Sequence, residues 1–514
     1  MKVSRSIHDC MPRLKPLSAC LALSLLARPI PAISSDPDPG QTIRNLAWRL
    51  QSTQGLADFA TRFHARASGE AVAPSKAPET QNVSNCNDSG SGSLRAAVAA
   101  AGNGDTVNMS SLSCSLITLT SGAIAIHVDT LTINGRGQQS LTIDGARQFG
   151  IFQHYGSGTL SINDVTLAHG SYGTGGCVAS LGNVSLTSAT VTSCASTGYG
   201  GFSYGGGIIA VGNLTLNSST LSNNNAYDAS FSGDVIAGGG AVAGGNATVT
   251  GSTISHNTAT SSGADAGGGG LFVAGTLTMT NSTVSGNTAI EVLGVYAAGG
   301  GIFAAGNATI TASTIDGNNG SVGGGLGGGT STSTWNVVNS TITDNTSYLG
   351  GGIVAQVPLH LENSTVALNY SGGNSGGAGV IITVNSVMQS SIIANNNARG
   401  ASSSADLASA GNTVSVTGAN NLIRTSDPLV TLPAGTLHVD PLLASFIENN
   451  GGPTQTLALF PNSPAVDAGN NTAGLQFDQR GAGYARVVGA RADIGAYEVQ
   501  NTGDEIFRNG FDPG

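Results

Sequence analysis

"GGGIIAVGNLTLNSSTLSNN", residues 205 to 224, is the stretch on which the fold turns. It opens on a glycine corner, alternates Leu214 and Leu216 with polar residues, bends at "NSS", and resumes with Leu221 on the side of the earlier leucines. Small aliphatics alternating with Thr, Ser and Asn mark a strand with one buried face and one wet face. The phrase returns along the chain. Alignment on its "ST" step places copies at Thr190, Thr220, Thr253, Thr283, Thr314, Thr341, Thr365 and Ser391, at intervals of 24 to 33 residues. Such uneven spacing suits a coil with constant strands and variable loops.

Three short strands per copy, in constant order, predict an all-β fold: a right-handed parallel β-helix with counterpart strands about 4.8 Å apart. One copy buries too little apolar surface to offset its own ordering entropy, so neighbouring copies must share a core. Triplets of Gly at 205 to 207, 238 to 240, 267 to 269, 299 to 301, 323 to 325 and 350 to 352 open the copies. Corners need φ values that Gly adopts cheaply, whereas a phosphate cradle would need a helix start and a Lys that do not follow. The column Asn224, Asn257, Asn287, Asn318, Asn345, Asn369 and Asn395 reads as a stacked amide ladder at the turn.

The chain has 514 residues, 76 of them Gly, only 9% charged, with a formal net charge of -10. Lys76 is the last lysine and no Lys or Arg stands between Arg147 and Arg399. Nucleic acid and anionic membrane are therefore not expected partners. Lys2, Arg5, Arg13 and Lys15 precede the apolar run "LSACLALSLLA", so residues 1–32 read as a signal peptide cleaved near Ala32. The run is too short to span a bilayer, and no transmembrane segment is expected in the mature chain. Residues 33–83 read as a linker with a possible helix carrying Leu46, Leu50, Phe59 and Phe63.

Removal of the signal leaves Cys86, Cys114, Cys177 and Cys194, an even number for an oxidising compartment. Of three possible connectivities, the local pairs Cys86 with Cys114 and Cys177 with Cys194 are expected. Cys194 takes the ladder position of the first copy and Cys177 a glycine-corner position, places that a closed coil can bring together.

These residues resemble a known group. "GGGI" followed by the Thr/Ser/Asn phrase is similar to the right-handed parallel β-helix repeat proteins of bacteria, including the polymorphic outer-membrane-protein repeats. "CNDSGSGSLRAAVAAAGNGDTV" (86 to 107) resembles the segment that precedes such helices, with a short helix over Leu94 to Ala101 covering the open end. "NNGGPTQTLALFPNSPAVDAG" (449 to 469), "DQRG" (478 to 481) and "DIGAYE" (493 to 498) resemble the choice-of-anchor Q domain. The resulting organisation is an N-terminal cap with first rungs at 84–147 and β-helix repeats at 148–425. A small β-rich capping domain at 426–500 and a tail at 501–514 follow. The resemblance implies an exported, cell-surface or secreted protein, with a Gram-negative source suggested by the aromatic tail, and implies no activity.

Chemistry on the helix is sparse. A polyuronate lyase needs basic groups, which the central copies lack. A glycosidase needs two carboxylates roughly 5 to 9.5 Å apart. Asp316 and Asp344 lie on successive copies, but alternation sends them in different directions, and both read as solvated turn residues. His154, His169 and His256 are scattered and suggest no metal site. Asp467, Asp478, Asp493 and Glu498 with Arg480, Arg486 and Arg491 read as salt-bridged turns. No catalytic residue, cofactor or metal is assigned. The expected function is non-enzymatic contact with surface glycans or neighbouring cell surfaces by a monomer. The alternative is a polysaccharide-degrading enzyme using the loops at 227–237 and 290–298.

Overall fold

The computed structural model describes residues 54–67, 77–198, 203–228, 236–262, 265–291, 297–373, 377–398 and 405–500. The expected signal peptide, the tail, and Leu46 and Leu50 lie outside them. The chain forms a parallel β-solenoid of about 11 turns. Three sheets make its walls: sheet A with 14 strands, sheet B with 12 and sheet C with 11.

One turn shows how the opening stretch builds the coil. Ile208–Ala210 joins sheet C, Leu214–Asn217 joins sheet A and Thr220–Ser222 joins sheet B. Each pairs in parallel and in register with its counterpart one copy later, at Ala241–Ala243, Ala247–Thr250 and Thr253–Ser255. Ile208, Ala210, Leu214, Leu216 and Leu221 point inward and are fully buried in one continuous core. The corner before them turns at Gly205, φ +63°, and a Cβ on Gly206 would run into the carbonyl oxygen of Gly239. In the copy that starts at 267 the turning residue is Gly268, one position later than the triplet suggested.

Sheet C departs from simple alternation. Its strands read Ile-Ile-Ala, Ala-Val-Ala, Leu-Phe-Val and Ile-Phe-Ala, with every residue buried. The outward Ile209, Val242, Phe272, Phe303, Val354 and Ile381 enter a second apolar core outside the coil. Tyr204, Ala237, Ala298, Val322 and Leu349, each just before or at a glycine corner, close it from the other side. Helix α1 (Gln54–Ala67) docks at its beginning, where Phe63 stacks on Tyr155 with ring centroids 4.5 Å apart. The longer copies add two small sheets, of five and four strands, that pack together as a fin beside sheet B.

Helix α2 (Leu94–Ala100) is N-capped by Ser93 and buries Leu94, Ala97 and Val98 in the coil core. Disulfides join Cys86 to Cys114 and Cys177 to Cys194. After Val430–Thr431, the last named strand, the chain carries only isolated β-bridges. It turns back along the outside of sheet B and covers several rungs of its flank, with Leu457, Leu459, Ile494 and Tyr497 packed against Ala367, Ile392, Ala394 and Leu422. Among the described residues, no helix is long and apolar enough to cross a membrane.

Candidate functional site

Two hydrogen-bond ladders hold the strands of sheet B in register. At the turn that follows each strand, Asn224, Asn257, Asn287, Asn318, Asn345 and Asn369 are buried. Each Oδ1 from Asn257 onward accepts the backbone N–H and the side-chain Nδ2–H of the Asn one rung before, as Asn287 does from Asn257 at 3.0 and 2.9 Å. Each Nδ2 also donates to a strand carbonyl of the preceding rung, Asn287 to Ile254 at 2.9 Å. Cys194 begins the column by donating its N–H to Asn224 at 3.0 Å.

Asn395 is not part of this ladder. Asn369 donates to Asn396, which is buried and in turn donates to Asp406. The strand partner of Thr365 is Ile392 rather than Ser391, so the expected placement of the last copy is one residue early. Asn395 instead occupies the left-handed turn at φ +60° and accepts from Arg424.

The second ladder begins each strand. Ser219, Ser252, Ser282, Ser313, Ser340, Ser364 and Ser391 each accept, through Oγ, the N–H of the equivalent residue one rung before. This is the Ser of the "ST" step, and its recurrence at every copy from Ser219 to Ser391 is the signal in the sequence that marks the ladder. A third, partial ladder of Asn183, Asn213 and Asn246 joins successive rungs at the turn between sheet C and sheet A, each Oδ1 accepting the N–H of the equivalent residue one rung later.

Pinned at both ends, the strands of sheet B present ordered hydroxyls outward. Thr220, Thr253 and Thr283 stack in register, as do Ser222, Ser255 and Ser285. The two columns lie about 6.6 Å apart along the strand and about 4.8 Å between rungs. All six residues are half-exposed. Above and below this window the same Thr column is occupied. Thr166 and Thr190 donate to the backbone carbonyl and the side-chain Oε1 of Gln138, at 2.6 and 2.8 Å. Thr314 donates to the Gln455 carbonyl at 2.6 Å, and Thr341 donates to Gln479 Oε1 at 2.6 Å. Gln479 Nε2 returns a bond to Thr314 at 3.0 Å, and the Ala496 N–H donates to Thr365 at 3.1 Å. Thr314, Thr341 and Thr365 are consequently buried.

Asp316 and Asp344 stand where the window meets this cover. Asp316 follows Ser285 in the outward column, and Asp344 takes the next rung's left-handed turn at φ +53°. A left-handed residue interrupts strand alternation, so the register by itself does not separate the Asp344 charge from Asp316. Burial, and then the neighbouring charge of Asp344, push the Asp316 carboxyl up to about 6. Burial also raises Asp344, against a hydrogen bond from Thr343. Asp316 is therefore a half-buried strand residue rather than a solvated turn residue, whereas Asp344 is an exposed turn residue, as expected. The preceding turn positions are Gly317 and Gly286, and the His256 ring lies over Gly286.

The other singled-out groups are built into the scaffold. His154 is buried, hydrogen-bonded to Ser180 at 2.8 Å and to the carbonyls of Val128 and Asp129, and burial holds its pKa below the usual range. His169 pairs with Asp144 at 3.0 Å. In the C-terminal segment Arg480 pairs with Asp478 at 2.6 Å and lies between the rings of Tyr484 and Tyr497, 3.9 Å from each centroid. Arg486 pairs with Glu498 at 2.8 Å, both fully buried. Burial pushes Glu498 up to about 7, against the pull of Arg486. Asp467 accepts the N–H groups of Ala490 and Arg491, while its own N–H donates to Asp493. Among the described residues, no group of three or more His, Cys, Asp or Glu is placed to hold a metal ion. No family model, no curated protein and no solved structure matches this chain.

Proposed function

We propose that this protein is an exported, non-enzymatic contact protein whose open Thr/Ser window meets uncharged carbohydrate on surfaces. The observation that carries the reading is the window itself: ordered, half-exposed hydroxyls in two columns, on a stretch without Lys or Arg. Hydroxyls both donate and accept, so such a lattice suits polyhydroxylated partners and offers nothing to attract polyanions. Two disulfides fit an oxidising, extracellular environment. Secretion, attachment to a bacterial outer surface, and the choice-of-anchor Q reading of 449–498 belong to the same proposal and rest on the quoted motifs.

The test is a panel of neutral and charged glycans offered to the full mature chain. Retention of neutral glycans that survives 0.5 M salt (about a 4 Å screening length) is expected. Retention of none defeats the reading. A second reading is favoured by Asp316 and Asp344: two carboxyls on successive rungs, one raised by burial and by the charge of the other, at the end of a hydroxyl floor suit glycoside hydrolysis. Release of reducing ends by the native chain, lost in Asp316→Asn, would replace contact by catalysis.

A further inference from the structure

We infer that the open window takes a glycan chain bearing acetamido groups, a polymer of N-acetylhexosamine, with amides docking on Thr220, Thr253 and Thr283. The inference rests on the carbohydrate reading above and narrows it to one chemical class.

Its basis is what the protein already does with the rest of the column. Thr166, Thr190, Thr314, Thr341 and Thr365 each have a side-chain hydrogen bond to a group outside the sheet, and in every case that group is an amide. Gln479 gives the fullest example: its one carboxamide spans two successive rungs, accepting from Thr341 and donating to Thr314. An acetamido group carries the same C=O and N–H pair. The open threonines are the uncovered continuation of this interface, and no side-chain hydrogen bond of Thr220, Thr253 or Thr283 is present among the described residues.

A peptide would supply amides too, but the covered part of the sheet shows what a peptide also needs. There the C-terminal segment buries Leu457, Leu459, Ile494 and Tyr497 against Ala367, Ile392, Ala394 and Leu422. The outward positions of the window are Thr and Ser alone and have no apolar partner to offer. A partner with hydroxyls between its amides fits, and one with apolar side chains does not. Beside the window, Tyr227 is 39% exposed on the adjoining fin strand, an amphipathic ring on which a sugar face can stack.

The test uses the full mature chain and calorimetric titration with three probes: β-1,4-linked hexamers of N-acetylglucosamine, hexamers of glucose, and a random Gly/Ser/Asn peptide. The acetylated hexamer is expected to bind about tenfold more tightly than the glucose hexamer, the yield of one or two added hydrogen bonds. Thr253→Val should remove about that factor while leaving glucose-hexamer binding unchanged, and Thr341→Val, at a covered rung, should leave both unchanged. Melting profiles of both variants confirm that they fold. Equal binding of the two hexamers overturns the amide inference and leaves the carbohydrate reading standing. Binding of neither overturns both, and tighter binding of the peptide replaces the glycan by a polypeptide partner.

Discussion

Asn395 and Asn396 are neighbours in sequence and opposites in role. Asn396 is buried, accepts two bonds from Asn369 and donates to the carbonyls of Val366 and Ala394 and to Asp406. Asn396→Ala would strand those groups and is expected to cost about 3 kcal/mol. Asn395→Gly, at φ +60°, should change stability by less than about 1 kcal/mol. Urea unfolding of the two variants measures the contrast, and equal losses would refute the ladder's one-residue shift. Asp316 makes a second prediction at this scale. Its folded-state pKa, about 6, lies above the ordinary aspartate value of about 4, so folding takes up a proton and its contribution is fully present at low pH. That contribution is lost as pH rises from about 4 to about 6. Asp316→Asn should flatten this slope and stabilise the protein at pH 7 by about 1 kcal/mol, allowing for its partial exposure. An unchanged melting slope over that window would show that the carboxyl titrates normally.

At the level of elements, period two was legible and its exceptions were not read. "TVS" at 283 to 285 places Val284 inside, fully buried, with Thr283 and Ser285 outside. The continuous apolar triplets of sheet C signalled burial on both faces, because a strand with one wet face does not place Ile or Phe outward on successive rungs. Helix α1 profits from that second core. Phe63→Ala is expected to detach it: cleavage within 54–67 by a nonspecific protease should rise about tenfold or more, with the melting of the coil unchanged. Coil and helix melting earlier together would make α1 part of the solenoid's stability instead. The Ser ladder was hidden for another reason. Ser and Thr are both compatible with a wet edge, and only the turn geometry separates the buried Ser282 from the half-exposed Thr283.

At the scale of the whole molecule, the coil is a nearest-neighbour stack and the C-terminal segment a cover laid over part of it. Gln479 is the centre of that cover, buried and bonded to Thr314, Thr341 and Thr454. Gln479→Glu replaces its donors with a carboxylate in a dry site. Faster hydrogen exchange across 449–500, with rungs 205–290 unchanged, is the expected result. Loss of protection throughout would show that the coil cannot stand without the cover.

Local pattern therefore determined the solenoid, the core-facing residues, the glycine corners, the Asn column but for its last member, and the two disulfide pairs. Each is repeated along the chain or local to a turn, so neighbouring residues carry the information. Tertiary structure alone decided which threonines the C-terminal segment covers and which it leaves open. These depend on contacts across 100 residues and more, such as Gln479 with Thr341, a separation of 138. No periodicity records such a contact, because the covering segment does not repeat.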